Sequence, residues 1–377
     1  MNIEALRALF PVTGKSVFLN NAAESPLNVR SRQRLEEYLT LASDAPQDKP
    51  SVREGVRVAL CGLFGGTPAD YALVTSTGAG IGMMASGYDW KPGDNVVVPA
   101  DEHWNNTFPW LALRERGVDV RLVPVGEDQR VTPQSVAALV DEKTRILATA
   151  AVRFNTGFRA DLGLLSEIAH KHQALFLVDG IQAAGVTPLN VDEDGIDILA
   201  CAGFKWLLGM HGTGFLYANA KARERIRPVM PGMFAAQDNT RELHYFPEAR
   251  RFETGTLAYS LFHAWTAGLE IVKEIGVAAI HARVLGLTDR IIGGLRAQGL
   301  AVVSPVETVG ERSAIISFTR GSAAANRALY DQLMSQGMIV ALRDGRIRVS
   351  PNFFNTDDEI DEMLQALQQP SLEKAGG

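Results

Sequence analysis

The chain has 377 residues, 46% of them hydrophobic and 21% charged, a balance that excludes a disordered polypeptide and suits one large core with room for a smaller second domain. Its 37 basic and 43 acidic residues give a net charge of −6 with no polybasic run, so neither nucleic acid nor an anionic membrane is expected as a partner. Only two cysteines occur, Cys61 and Cys201, which excludes a disulfide framework and a Cys-rich metal site. Residues 1–7 lack the charged-then-apolar layout of a secretion signal, and no apolar run reaches the roughly 18 residues of a membrane span. A cytoplasmic protein without a metal is the expectation.

From about residue 50 to 220, short apolar runs alternate with segments of helical spacing. Strands are predicted at 96–98, 120–123, 145–149, 175–178, 196–199 and 214–217, with helices between them at 104–116 and 162–172. Strands that are apolar on both faces and separated by helices imply a mainly parallel sheet covered on two sides. In such sheets ligands collect at the carboxyl ends of the strands. A long helix at 260–275 leads to a different pattern: strands at 300–303, 314–318, 339–342 and 347–350, with helices at 323–336 and 356–367. That reads as a small C-terminal α+β domain. The expected division is a segment 1–20 packed on the small domain, a large domain 21–265 and a small domain 266–377.

Lys205 is the most informative residue. It lies in the run Ala200-Cys201-Ala202-Gly203-Phe204-Lys205-Trp206-Leu207-Leu208-Gly209, one cation among apolar and small neighbours. Burying an unpaired ammonium is costly, and desolvation lowers the pKa of an amine meant to attack a carbonyl. Asp179 precedes it by 26 positions, at the tip of the apolar run 175–178. An acid at a strand tip and a desolvated lysine are what a pyridoxal phosphate site requires: the amine forms a Schiff base, and the carboxylate keeps the pyridine nitrogen protonated.

Further segments stand in order along the chain. Residues 74–80, Val-Thr-Ser-Thr-Gly-Ala-Gly, form a small-residue loop between a strand and a helix. Its backbone N–H groups and hydroxyls suit a phosphate at a helix N-terminus, although a plain turn has the same composition. Residues 101–110 carry His103 between Glu102 and Trp104, with Trp104 and Trp110 read as packing residues. Val178-Asp179-Gly180-Ile181-Gln182, then Gly203-Phe204-Lys205-Trp206 followed by the glycine-rich 209–214, then Arg251-Phe252-Glu253-Thr254-Gly255-Thr256, and finally Arg346-Ile347-Arg348 complete the series. His211 reads as loop structure.

In that order and spacing the chain resembles the class V aminotransferase-type enzymes of pyridoxal phosphate fold type I, a group with cysteine desulfurases, isopenicillin N epimerase, kynureninase and various lyases. The resemblance implies an α/β fold with a seven-stranded, mainly parallel sheet and pyridoxal 5'-phosphate as cofactor. It implies that Ser76, Thr77 and Gly78 hold the phosphate, that His103 stacks on the cofactor face, and that Asp179 pairs with the pyridinium. Gln182 is expected at the phenolic oxygen. Thr256 is expected to reach the phosphate of a second copy, making a homodimer with composite sites. Arg348 is expected to clamp the substrate α-carboxylate through its guanidinium fork, with Asn21 near the substrate. Several relatives have a histidine touching the phosphate just before the lysine; Phe204 stands there, so that contact must be lost or replaced. Relatives also bind the cofactor oxygen through an asparagine, a position that falls on Phe154 with Asn155 one place off.

The substrate is expected to be a small α-amino acid, with a keto acid as second substrate if the reaction is transamination, the first expectation. Loss of a β-substituent (a Cβ–S lyase) or epimerisation are the alternatives, and a binding protein without turnover is the remote one. A desulfurase that forms a persulfide needs a mobile thiol in the C-terminal part. No cysteine follows Cys201, so that branch is argued down.

Overall fold

In the computed structural model, which describes residues 2–45, 49–237 and 242–368, a seven-stranded sheet forms the centre of the chain. After a short β1 (Val17–Phe18) come β2 (Tyr71–Val74), β3 (Asn95–Pro99), β4 (Asp119–Val123), β5 (Thr144–Ala150), β6 (Leu175–Asp179), β7 (Ile198–Ala202) and β8 (Gly214–Ala218), in the spatial order β2-β8-β7-β6-β5-β3-β4. Only β8 runs against its neighbours, pairing antiparallel with both β2 and β7. The connection from Ala202 to Gly214 is shorter than the dozen or so residues that a parallel crossover needs, so the chain turns straight back.

Because successive side chains point to opposite faces, each strand serves two cores. Val97, Leu147, Phe176, Val178, Leu199 and Cys201 belong to one buried cluster. Val96, Val98, Ile146, Leu175, Leu177 and Ile198, from the same strands, belong to another. Helix Tyr259–Ile275 packs on helices Val29–Asp44 and Lys49–Phe64.

The second sheet is antiparallel, in the order β12-β13-β10-β9, built from β9 (Ala301–Val302), β10 (Ile316–Thr319), β12 (Ala341–Arg343) and β13 (Arg346–Val349). Its own cluster includes Phe318, Ile347 and Val349 against Leu287 and Ile291 of helix Val277–Ala297. Leu19 also lies in this cluster, and β1 pairs in parallel with β11 (Met338–Ile339). Met1 and residues 369–377, part of the expected N-terminal segment and small domain, lie outside the described residues. Among the described residues no helix is long and apolar enough to cross a membrane.

Three expectations shift. The strand expected at 196–199 starts at Ile198, because the Asp197 side chain caps its neighbours instead, accepting from Phe176 N at 2.9 Å and from Asn219 Nδ2 at 2.8 Å. A single strand at 339–342 is split, since Met338 and Ile339 pair with β1 while β12 pairs with β13. The helix expected at 104–116 is broken into a 3-10 turn (Trp104–Asn106), a short α-helix (Phe108–Leu111) and a second 3-10 turn (Ala112–Arg116). Pro109 lacks the N–H that would carry the first turn into the next.

Candidate active site

The carboxyl ends of the parallel strands open into a narrow cleft. Ser76, Thr77, His103, Asp179, Gln182 and Lys205 all line it, so most of the expected site residues converge there. Asp179 ends β6, in register with Ala150 of β5 and Ala200 of β7. Its side chain is buried, and Oδ1 accepts from Ile181 N at 3.0 Å. Lys205 follows β7 on a loop closed on itself by Leu208 N to Lys205 O (2.9 Å) and Gly209 N to Gly203 O (2.8 Å).

Electrostatics agree with that placement. Burial depresses the Lys205 amine below its ordinary value, and the Arg348 guanidinium depresses it further, while Asp179 pulls the other way. Burial raises the Asp179 carboxyl, partly offset by the Ile181 N–H and by Lys205. His103 is also pushed down, by burial and then by Lys205, and its Nδ1 accepts from Asn105 N at 3.2 Å, so the neutral ring keeps its proton on Nε2.

The phosphate end is helical. Helix Thr77–Gly87 is capped by Ser76, whose side chain accepts from Ala79 N at 3.1 Å. The first-turn N–H groups of Thr77 and Gly78 have no acceptor within the helix and are available to an anion. Thr77 Oγ1 accepts from Ala202 N at 2.9 Å, joining this helix to the end of the lysine strand.

Arg348 is almost fully buried on β13. Its Nη1 donates to Phe154 O at 2.6 Å and its Nη2 reaches Asn20 Oδ1 at 3.5 Å, while Nε has no partner. No carboxylate of the described residues pairs with it, and burial lowers its pKa to about 10. Asp344 offsets part of that cost from a distance, but a buried guanidinium with no ion pair stays costly unless an anion arrives to meet it. Asn21, expected near the substrate, donates from Nδ2 to Ser350 O at 2.9 Å, holding the N-terminal segment on β13's end, while its buried Oδ1 has no partner among the described residues. Its neighbour Asn20 is the residue that reaches the arginine, which adjacent identical side chains gave no means to foresee.

Gln182 is occupied at both ends, accepting from Trp206 Nε1 at 3.0 Å and donating to Ala22 O at 2.9 Å, with one amide hydrogen left for the cleft. Phe154 lines the cleft with its ring edge-on to His103, centroids 5.3 Å apart. Asn155 turns away to Asp101 Oδ2 (2.8 Å) and Asp344 Oδ2 (3.3 Å). Gly157, at φ +75, allows this turn to press on the small sheet, since a Cβ there would sit 2.3 Å from Ile315 O. His211 is loop structure, bonded to Glu24 at 2.9 Å and stacked on Phe204 at 4.2 Å. Trp104, expected to pack, is 59% exposed, whereas Trp110 is wholly buried. Thr256 is exposed and is not among the residues lining the cleft.

Glu102 was not foreseen. It is buried against the strand ends, accepts from Ala150 N at 2.8 Å, and is pushed up to about 7 by burial, with the nearby Asp179 adding to the rise.

The aminotransferase class-V model matches residues 18–362. The chain belongs to this family. It is similar to a probable cysteine desulfurase of Methanothermobacter thermautotrophicus, 28% identical over 98% of each chain, and to a cysteine desulfurase of Dickeya dadantii, 30% identical over 85% of this chain and 82% of the other. An uncharacterised aminotransferase of Bacillus subtilis is 25% identical over 98% of this chain and 99% of its own. Among solved structures, apo cysteine desulfurase from Thermococcus onnurineus matches the fold with a TM-score of 0.90 at 21% identity, covering 97% of each chain. A cystine C–S lyase in complex with cysteine persulfide matches with 0.88 at 23% identity, covering 95% of this chain and 98% of the other. The protein is a pyridoxal phosphate-dependent enzyme of this family with the fold type I architecture. The site fits that cofactor: a helix N-terminus for the phosphate, a buried carboxylate for the ring nitrogen and a desolvated amine for the aldehyde share one cleft.

Proposed function

We propose that this enzyme is a Cβ–S lyase acting on a cysteine-type α-amino acid and releasing the sulfur without passing it to a thiol of its own. The observation that carries an amino-acid substrate is Arg348, a buried guanidinium with no carboxylate partner among the described residues, close enough to Lys205 to depress its pKa. It would hold the α-carboxylate through its unpartnered Nε and the weakly held Nη2. Bound pyridoxal phosphate supplies an electron sink for the pair left when a bond at Cα breaks. Lys205, its amine brought down to about 8 by burial and Arg348, would take the α-proton; Asp179 would hold the ring-nitrogen proton, and His103 would cover the ring face.

The sulfur branch rests on the relatives named cysteine desulfurase. Direct release rests on the two thiols. Cys201 lies in β7 with its thiol raised well above the ordinary value by burial, so it is a poor nucleophile. Cys61 sits in helix Lys49–Phe64, its Sγ against Gly66 O at 3.1 Å, by the chain leading into the start of β2 and so at the opposite end of that strand from Ser76. Transamination, the expectation from sequence, stays as the second reading, favoured by the aminotransferase name of the Bacillus subtilis relative.

Given L-cysteine or cystine, the holoenzyme is expected to form pyruvate and ammonia in equal amounts, with sulfide or a low-molecular-weight persulfide. The Cys61→Ser and Cys201→Ala variants should do so at the rate of the parent. Sulfur release that stops when either thiol is removed would defeat direct release. A cofactor converted to its amine form, regenerated only by a keto acid, would establish the transaminase instead.

The active unit in this reading is a homodimer, with Thr256 of each copy serving the other's phosphate. Support comes from its exposure outside its own cleft and from the exposed apolar side chains of Trp104, Phe108, Met230, Met233 and Leu243.

A further inference from the structure

We propose that the side-chain amide of Asn105 donates a hydrogen bond to the phosphate of the bound cofactor. The inference rests on the cofactor, not on which reaction the enzyme performs. A phosphate brings close to two negative charges and three strong acceptor oxygens, so its site must supply several donors. One wall of the cleft supplies none from side chains: Ala202 and Phe204 are apolar, and the only ring near Phe204 that could donate, His211, lies stacked behind it at 4.2 Å and bonded to Glu24. With Lys205 committed to the aldehyde, the phosphate's side-chain donors from the same copy come from the other wall.

That wall is the start of helix Thr77–Gly87 and the turn Trp104–Asn106 packed on it. Ser76 and Thr77 have already accepted one hydrogen bond each, from Ala79 N and Ala202 N, and keep one hydroxyl hydrogen apiece. Asn105 is the remaining polar side chain on this wall. Its backbone N–H donates to His103 Nδ1 at 3.2 Å, which ties this residue's backbone to the His103 ring. The carboxamide lies against Gly78: a Cβ built there would be 3.0 Å from Asn105 Cγ and 3.1 Å from Oδ1. Asn105 is exposed at the cleft's edge and its amide has no hydrogen-bond partner among the described residues, so with Oδ1 on the glycine side the proposed arrangement turns Nδ2 to the phosphate. Asn106 is differently used: it is buried and its Oδ1 accepts from Trp110 Nε1 at 3.2 Å. Gly78 is thus explained without any unusual backbone angle. It is the space into which Asn105 fits.

The test is cofactor retention by the full-length holoenzyme, followed by absorbance after dilution, with the 31P resonance of the bound phosphate as a second readout. Asn105→Ala is expected to weaken pyridoxal phosphate binding roughly tenfold, the loss of one hydrogen bond to a charged group, and to shift the 31P signal. Pyridoxal, which lacks the phosphate, should bind parent and variant alike. Asn105→Asp, of the same size but carrying like charge, should weaken the phosphorylated form more than alanine does. Adding Phe204→His to the alanine variant should restore much of the loss by placing a donor on the opposite wall. Equal losses for the phosphorylated and unphosphorylated cofactors, or no loss for either, would overturn the proposal, as would an aspartate variant that binds as well as the parent.

Discussion

At the scale of single residues, the amine and the guanidinium of the cleft make separable predictions. An amine attacks only when neutral, so cofactor loading should accelerate as pH rises through the Lys205 pKa and level off above it. Because burial and Arg348 depress that pKa, the midpoint is expected well below the ordinary lysine value of 10.5. Stopped-flow loading rates across pH 6–11 would show it, and a midpoint at the ordinary value would contradict the burial argument. For Arg348, replacement by lysine keeps the charge but loses the planar fork, and is expected to lower kcat/KM for amino acids by about 10- to 100-fold through KM. Glu102 carries a third prediction. Its folded carboxyl is raised to about 7 from 4.5, so between those values the folded protein holds more protons than the unfolded one. Glu102 therefore makes stability fall as pH rises through that interval, and Glu102→Gln should make the slope in thermal unfolding shallower, leaving the part that the raised Asp179 carboxyl contributes. Lys205 and Asp179 were legible because a charge among apolar neighbours is conspicuous in any sequence. Glu102 was not, since its burial comes from Ala150, 48 positions away along the chain.

Among elements, β2 is the strand that delivers Ser76 and Thr77 to the cleft, and it is held by an ion cluster. Buried Glu253 pairs with Arg53 and Arg57 of helix Lys49–Phe64 and accepts from Leu73 N at 3.0 Å. Removing the acid leaves two mostly buried guanidiniums with only Glu54, 3.7 Å from Arg57, as a carboxylate partner among the described residues, and the Leu73 N–H without its acceptor. Glu253→Ala is expected to cost about 3–5 kcal/mol, the size seen when one member of a buried pair is deleted, and a lower urea midpoint would register it. Strands of the large sheet could be read from sequence because they are apolar on both faces. The break in 104–116 could not, since helical spacing says nothing about whether Pro109 interrupts one helix or starts another. The split at 338–343 depended on β1, more than 300 positions earlier, whose two residues carry no pattern.

For the whole molecule, the exposed apolar side chains of Trp104, Phe108, Met230 and Met233 predict a dimer in sedimentation at micromolar protein. Met233→Asp should shift it toward monomer and loosen the cofactor at the same time, if Thr256 serves the neighbouring copy. Loss of the dimer with unchanged cofactor retention would separate the two ideas. Sequence order alone disclosed a large mainly parallel sheet followed by a small α+β part, because the change in the pattern of strands and helices after the long helix is local. How the sheets meet was hidden, for it turns on Arg348 touching Phe154 and on the turn at Gly157. In the proposed reading, that first contact makes one side chain both rivet and receptor. A carboxylate that drew Arg348 toward itself would also load the seam between the sheets, so grip on the ligand and the strength of that seam would be mechanically one quantity.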